Sequence, residues 1–226
     1  MHPRTFRSHR TSAAFTYAEL LMATFVMGLV VATAVGFLLF SLRVYGFDSG
    51  RMQVNRDVRK ITQRMMTDTA YASAADIFAD YATRGTNHVT AAIGAGAAGN
   101  MLVLTYCDSS PTTGFVTVNK LIAYYLVPSG SPAYTGPIRR FETVINPAVQ
   151  LTDIYALCDL LDDHLPSQAG ANPTIVQLAK GNAGTNQLFY NYMDRSVMVK
   201  AKIYQVGSVL HQGVISTYNF TISPRG

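Results

Sequence analysis

The chain has 226 residues, of which 49% are hydrophobic and 14% are charged. This composition excludes an intrinsically disordered chain and leaves room for one globular domain together with a membrane segment. The formal net charge is +5, but residues 1–14 contain three arginines and no acidic residue, so the remaining chain is nearly neutral. That balance does not favour a nucleic-acid-binding surface, and we expect no nucleic-acid partner.

A long apolar segment follows the basic N-terminus. Residues Leu20–Leu42 contain no charged residue and no proline. As a helix this segment would be about 35 Å long, which exceeds the roughly 30 Å of bilayer hydrocarbon. We therefore expect a membrane-spanning helix. Glu19 stands directly before the segment and is the only acidic residue ahead of Asp48.

Three interpretations of the apolar segment differ in where the chain is cut. A secretory signal peptide would be removed after Ala34, because Ala32-Thr33-Ala34 has the small residues of such a site. The product would then begin with an exposed apolar tail. Without cleavage the segment would be a single-span anchor. A cut between Ala14 and Phe15 would instead leave a chain that begins FTYAELL.

The third interpretation resembles the class III leader and N-terminal helix of type IV pilins and type II secretion pseudopilins. In that family the leader ends at a polar–apolar junction, the first mature residue is commonly phenylalanine, and the fifth is glutamate. Phe15, Thr16 and Glu19 stand at the matching positions, and Ala14 stands where glycine is usual. The resemblance implies that prepilin peptidase removes residues 1–14 and that Phe15 is then N-methylated.

The resemblance also implies a role for Glu19 in assembly. A lone carboxylate in a bilayer is costly unless it is paired or protonated, although the helix dipole favours an anion in the first turn. The carboxylate of Glu19 would meet the N-terminal amine of Phe15 on a neighbouring subunit, so that assembly neutralises two charges. We expect a single-pass protein of the bacterial inner membrane with a periplasmic C-terminal domain. Its partners would be prepilin peptidase and other pilin or pseudopilin subunits.

Beyond the transmembrane and assembly helix of residues 15–42, a helical pattern continues to about Phe78. Apolar positions recur three or four residues apart, and basic residues with glutamine fill the other side. The apolar stripe consists of Val54, Val58, Ile61, Met65, Thr69 and Ala72. This pattern predicts an amphipathic continuation over residues 43–80 that buries one face against a globular domain.

Residues 81–226 are predicted to form a β-rich globular domain. Six segments rich in β-branched and aromatic residues alternate with turn residues, and Thr152–Leu165 is predicted to be a short helix. The six are Met101–Tyr106, Gly114–Val127, Ile138–Ile145, Gln187–Met193, Ser196–Val206 and Val214–Ile222. The predicted fold class is α+β and pilin-like, with a long N-terminal helix packed on an antiparallel β-sheet. The order of segments resembles the larger minor pseudopilins and minor pilins, the J-type and W-type.

Two motifs were weighed as chemical sites. Gly94–Gly99 reads G-x-G-x-x-G, but a predicted strand follows it where a dinucleotide site requires a helix, so a loop is favoured. Asp159, Asp162 and Asp163 supply fewer oxygens than calcium requires, so a solvated acidic helix end is favoured and calcium binding is left open. Neither motif indicates an enzyme, and we predict no cofactor and no metal.

The chain has two cysteines, Cys107 and Cys158. In an exported domain they could form one disulfide or remain buried free thiols, and their spacing leaves both alternatives open.

The sequence therefore predicts a structural minor pilin or pseudopilin subunit of a type IV pilus or a type II secretion pseudopilus. The alternative is a Sec-exported or single-span-anchored β-rich periplasmic binding domain or enzyme. The mature N-terminus separates the two.

Overall fold

A computed structural model describes most of the chain after residue 15. The described residues are 16–81, 96, 98–109, 116–127, 136–151, 154–164, 174–179, 187–192, 196–206 and 213–224. The chain divides into two compact units, residues 1–45 and residues 46–226. This division lies close to the predicted end of the membrane segment at Leu42.

The N-terminal helix, α1, extends from Tyr17 to Ala70. Along Leu20–Leu42 its apolar side chains are exposed, with Phe25 and Phe37 at 72% and 73%. Within the part of the chain that the structure describes, this is the one helix long and apolar enough to cross a membrane. Apolar surface of this extent marks a membrane or a protein partner, and it is compatible with a single-pass anchor.

In the second compact unit, α1 is amphipathic as predicted. Of the predicted stripe, Val54, Ile61, Met65 and Thr69 are buried, and Val58 is partly buried. Most side chains between these positions are exposed, including Arg56, Arg59 and Gln63, as the 3.6-residue period requires. The prediction of one buried helix face is confirmed.

The predicted end of this helix near Phe78 is wrong. Helix α1 stops at Ala70, and Ala74–Phe78 forms strand β1, which pairs with residues 101–105. At the junction, the backbone N–H of Ser73 donates to the carbonyl of Thr105 over 2.8 Å. Pairing with the neighbouring strand gives the backbone groups of residues 74–78 their hydrogen-bond partners. The sequence did not predict this helix end, because no glycine or proline stands there to signal it.

The remaining elements are a second helix, α2, at Ile154–His164 and eight further strands. These strands are β2 at Ala98–Gly99, β3 at Met101–Ser109, β4 at Val116–Leu126, β5 at Ile138–Gln150, β6 at Thr174–Ala179, β7 at Phe189–Tyr192, β8 at Ser196–Val206 and β9 at Gly213–Ile222. All six predicted strands and the second predicted helix are present. Strands β1, β2 and β6 were not predicted: β1 lies in the segment predicted to be helical, and β2 lies in the Gly94–Gly99 motif predicted to be a loop.

The strands of the described residues form two antiparallel sheets where one was predicted. The five-stranded sheet has the order β1-β3-β4-β5-β6, and the four-stranded sheet has the order β2-β7-β8-β9. An α+β fold with a long N-terminal helix and antiparallel sheets is thus confirmed, and the number of sheets is corrected.

Two hydrophobic cores lie on opposite faces of the five-stranded sheet. On one face, α1 packs through Ile61 and Met65 against Tyr124 of β4, in a core that also includes Val199 of the four-stranded sheet. On the other face, α2 packs through Leu161 against a core that includes Phe141 of β5. Because strand residues alternate between faces, neighbouring residues in β4 and β5 enter different cores.

Candidate functional site

The N-terminus of α1 is closed by a reciprocal pair of hydrogen bonds between Thr16 and Glu19. The backbone N–H and the hydroxyl of Thr16 donate to Glu19 Oε2 over 2.9 and 3.0 Å, and the backbone N–H of Glu19 donates to Thr16 Oγ1 over 3.3 Å. Thr16 precedes the first helical residue, Tyr17, so the pair is a capping box. Thr16 Oγ1 therefore accepts from the backbone N–H of Glu19, which has no partner within the helix, and the Glu19 carboxylate accepts from the backbone N–H of Thr16.

This cap was not predicted from the sequence, where Glu19 was interpreted through its charge. The signal was available, because Thr-x-x-Glu ahead of an apolar run is the sequence signature of a capping box. Ala14 and Phe15, predicted as the processing and methylation residues, lie outside the described residues.

A buried ionic cluster lies where α1 meets the five-stranded sheet. Asp68, in the last turn of α1, is 7% exposed, and Arg140 of β5 is 2% exposed. Arg140 Nε donates to Asp68 Oδ2 over 2.7 Å, and the hydroxyl of Tyr124 donates to the same oxygen. Tyr124 and Arg140 are cross-strand partners, so the pairing of β4 with β5 aims both donors at one carboxylate.

Tyr106 of β3 joins this cluster through the backbone. Its hydroxyl donates to the carbonyl of Asp68 over 2.7 Å. That carbonyl belongs to the last turn of α1, where carbonyl groups have no helical partner. The register of β3 against β4 shifts between Tyr106 and Cys107, and bulges of this kind redirect side chains. The sheet thus caps the C-terminus of α1.

The outer part of the cluster is partly exposed. Arg140 Nη2 lies 2.8 Å from Glu142 Oε2, an ion-pair distance, although no N–H bond of that nitrogen points at an acceptor. Lys120 Nζ lies 2.7 Å from Glu142 Oε1. Arg64, whose side chain is 51% exposed, lies 3.7 Å from both Asp68 and Glu142. Its exposed ion pairs contribute little, whereas the buried ones satisfy a charge that cannot reach water.

The protonation states follow from burial and partners. Burial, with the hydrogen bond to Asp68, raises the pKa of Tyr124 well above its ordinary value, so its hydroxyl stays a donor. Burial opposes the charge on Arg140, but the carboxylates of Asp68 and Glu142 outweigh that effect and raise its pKa. Burial would raise the pKa of Glu142, yet the positive charges of Lys120 and Arg140 beside it prevail and lower it.

This arrangement is suited to holding elements together. Each charged group bonds another member, and together they connect α1 with β3, β4 and β5. Asp68 was not among the predicted site residues, although it lies three residues after Met65 and thus on the predicted buried face. A carboxylate on an apolar helix face was the available signal for a buried ion pair.

Of the two alternatives for the cysteines, the structure has free thiols. Cys107 of β3 is half-buried and packs against the core on the α2 face of the five-stranded sheet. Cys158 of α2 is buried within that core. Burial raises the pKa of each thiol, which keeps it protonated and poorly nucleophilic.

The acidic segment of α2 is a helix end, as favoured from the sequence. Asp159 and Asp163 are exposed, and Asp162 is partly buried. Among the described residues, no group of three or more histidine, cysteine or acidic side chains is placed to hold a metal ion.

Comparisons with protein-family models, curated proteins and solved structures found no match to this chain.

Proposed function

We propose that this chain is a structural subunit of a pilin-type filament, a minor pilin or pseudopilin of a type IV pilus or a type II secretion pseudopilus. It is held in the bacterial inner membrane before assembly and joins other pilin or pseudopilin subunits through α1. The observation that carries the proposal is one carboxylate, Glu19, at the start of a helix whose apolar residues are exposed over Leu20–Leu42.

An exposed apolar helix requires an apolar environment, which the bilayer supplies to a stored subunit. The packed helices of a filament supply a second one. Because both environments are apolar, moving the helix from the bilayer to the filament exposes little apolar surface to water. Pairing of charges can then set the direction and the register in which a subunit is added. Glu19 is suited to that step because it is the only acidic residue in this part of the chain.

The capping box does not prevent such pairing. Both hydrogen bonds that Glu19 accepts from Thr16 end on Oε2. The N-terminal amine of Phe15 on a neighbouring subunit could bind through Oε1 and leave the cap in place. A cap fixes the carboxylate at the end of the helix, and a fixed acceptor loses less side-chain entropy when it binds.

The mature N-terminus tests the proposal. The full chain is expressed in a bacterium that has prepilin peptidase, extracted from membranes and measured by intact mass and N-terminal sequencing. We expect a chain that starts at Phe15 with one added methyl group. An intact Met1, or a start at Val35, contradicts the proposal and supports the anchored or Sec-exported binding domain or enzyme.

Two matched variants separate the cleavage sites. Ala14→Leu places a bulky side chain before the proposed cut and should leave the leader attached. Ala34→Leu removes the small residue that signal peptidase requires and should leave the start at Phe15 unchanged. If Ala34→Leu alone blocks processing, the pilin proposal is wrong.

A further inference from the structure

A basic groove runs along the exposed side of α1 in the second compact unit. Its volume is about 940 Å³, and it is bounded by α1 between Met52 and Thr67 and by Leu178 of β6. Of the described residues that line it, none is acidic and five are cations, namely Arg56, Arg59, Lys60, Arg64 and Arg140. The helix length between Met52 and Thr67 corresponds to about 22 Å.

The ionic cluster neutralises only part of this charge. Arg64 and Arg140 contact the two carboxylates of Asp68 and Glu142. Arg56 and Arg59 are exposed and form no ion pair with another described residue. Asp57 neighbours Arg56 on the helix and can be counted as a further anion. The five lining cations still outnumber Asp57, Asp68 and Glu142. The groove therefore attracts an anion.

The undescribed segments of this chain cannot supply a ligand with several negative charges. The chain has 13 acidic residues, and only Asp153 and Asp194 lie outside the described residues. They fall in different segments, so no undescribed segment contains more than one carboxylate. An occupant that matches the excess of cations must come from another molecule.

The lining favours a peptide over other polyanions. Its uncharged members carry amide, hydroxyl, thioether or aliphatic groups, and no aromatic side chain of the described residues lines it. Grooves that bind single-stranded nucleic acid combine positive charge with aromatic side chains on which the bases stack. The two apolar residues, Met52 and Leu178, are too few to cover an acyl chain. Arginine binds carboxylates and phosphates alike in a two-point geometry, so the preference for a peptide rests on the lack of aromatic and extended apolar lining.

The chain itself presents a fitting acidic segment. Asp159, Asp162 and Asp163 lie at the end of α2, and no other five-residue window of the sequence contains three acidic residues. Asp159 and Asp163 are exposed. Helix α2 covers the face of the five-stranded sheet opposite to the one that α1 covers. One copy therefore offers the basic groove on one face and the acidic helix end on the other.

We infer that the acidic end of α2 in one copy docks into the basic groove of a second copy. Two different surfaces meet in such a contact, so it is heterologous, and heterologous contacts that do not close into a ring generate filaments. This docking contact would join the globular domains of neighbouring subunits, and its place in a filament rests on the proposed function. The contact requires that at least two copies of this chain lie next to each other.

Charge reversal in the full chain tests the contact. Two differently tagged copies are co-expressed, the membranes are treated with a short amine–carboxyl crosslinker, and the mixed dimer is quantified. Arg59→Glu and Asp163→Arg, each in both copies, should lower the dimer yield roughly five-fold, because each places like charges opposite one another. The double variant should return to within about two-fold of the wild type, because the swapped charges again attract.

Lys202→Glu is the matched control. It makes the same charge change on an exposed residue of β8 that is not among the groove residues named above and does not belong to α2, and it should leave the yield unchanged. Raising the salt concentration from about 0.05 to 0.5 M should lower the dimer yield of the wild type, because salt screens the attraction. The dimer yields of the wild type and of the single variants should then differ less.

Three results overturn the inference. The first is an unchanged yield for both single variants. The second is a loss with Arg59→Glu that Asp163→Arg does not rescue, which would assign the groove to another acidic protein. The third is an unchanged dimer yield while the Arg59→Glu variant binds phosphatidylglycerol vesicles more weakly than the wild type. That result would assign the groove to anionic lipid.

The mature N-terminus, determined on the same samples, separates this inference from the proposed function. A chain that starts at methylated Phe15 but shows no charge rescue contradicts only the docking contact. A chain that starts at Val35 contradicts the pilin proposal, whereas charge rescue in that chain would still support docking.

Discussion

Asp68 and Arg140 lie 72 positions apart in the chain, and Arg140 Nε donates to Asp68 Oδ2 over 2.7 Å in the interior. Arg140 extends from β5, and Asp68 belongs to the last turn of α1. Tyr124 and Tyr106 add hydrogen bonds from β4 and β3 to the side chain and the carbonyl of Asp68. Three strands of one sheet thus hold the end of the helix.

The first prediction concerns this pair. Asp68→Asn removes the negative charge and leaves the guanidinium of Arg140 buried without a charged partner in the helix. We expect the free energy of unfolding to fall by about 3 kcal/mol, near the lower end for breaking a buried ion pair. The measurement is urea unfolding of the full chain in detergent, followed by circular dichroism.

Asp163→Asn is the control, because Asp163 is exposed on α2 and its substitution should change stability by less than about 0.5 kcal/mol. The double variant Asp68→Leu with Arg140→Met should recover part of the loss, since apolar residues can replace a buried pair. Equal midpoints for Asp68→Asn and the wild type would show that the pair does not stabilise the fold.

The second prediction concerns acid stability. The pKa of Glu142 is lowered in the folded state from its ordinary value of 4.5 by Lys120 and Arg140, which outweigh burial. The stability that Glu142 contributes is therefore complete above pH 4.5 and is lost as the pH falls through its folded pKa. Glu142→Gln should lose stability at pH 7 and show a smaller further loss on acidification.

Urea midpoints at pH 7, 5, 4 and 3 check this prediction. The other carboxylates titrate in both proteins, so the difference between the wild type and Glu142→Gln isolates Glu142. That difference should shrink as the pH falls below 4.5. A difference that stays constant across this range would contradict the assignment.

The third prediction separates the two roles of Glu19. Glutamine can replace glutamate in a capping box, so Glu19→Gln keeps the bond from Thr16 but removes the charge. Thr16→Ala keeps the charge and removes the reciprocal cap, at a cost of about 1 kcal/mol of helix stability. If charge pairing drives assembly, Glu19→Gln should abolish incorporation and Thr16→Ala should largely preserve it.

Immunoblots of sheared filaments and of membrane fractions measure this incorporation. Both variants should reach the membrane in wild-type amounts, because the apolar residues Leu20–Leu42 are unchanged. Glu19→Ala, which removes both roles, should also be exported but fail to assemble. The opposite pattern, with Thr16→Ala defective and Glu19→Gln normal, would assign Glu19 to capping alone.

The fourth prediction concerns the thiols. Cys107 and Cys158 are free in the structure, so denatured protein that has never been reduced should take up two maleimide groups by intact mass. In the folded protein, half-buried Cys107 should react before buried Cys158, and Cys107→Ser should abolish the faster reaction. No uptake before reduction would indicate a disulfide instead.

Local patterns alone determined much of this fold. The apolar part of α1 follows from an unbroken uncharged length, and the buried stripe through Ile61 and Met65 and the six strands follow from local periodicity and composition, which a sequence displays directly. The capping box at Thr16 and Glu19 is also a local pattern, so it could have been predicted.

Only the tertiary structure decided where α1 ends, because the end at Ala70 depends on pairing of β1 with a strand about 30 residues later. It also decided that Arg140, rather than the adjacent Arg139, is buried, since the register of β5 against β4 selects the face of each residue. The meeting of Asp68 with Tyr124 and Arg140, and the groove beside them, bring together residues that are distant in sequence. No local spacing encodes such contacts, because they arise when α1 packs across several strands.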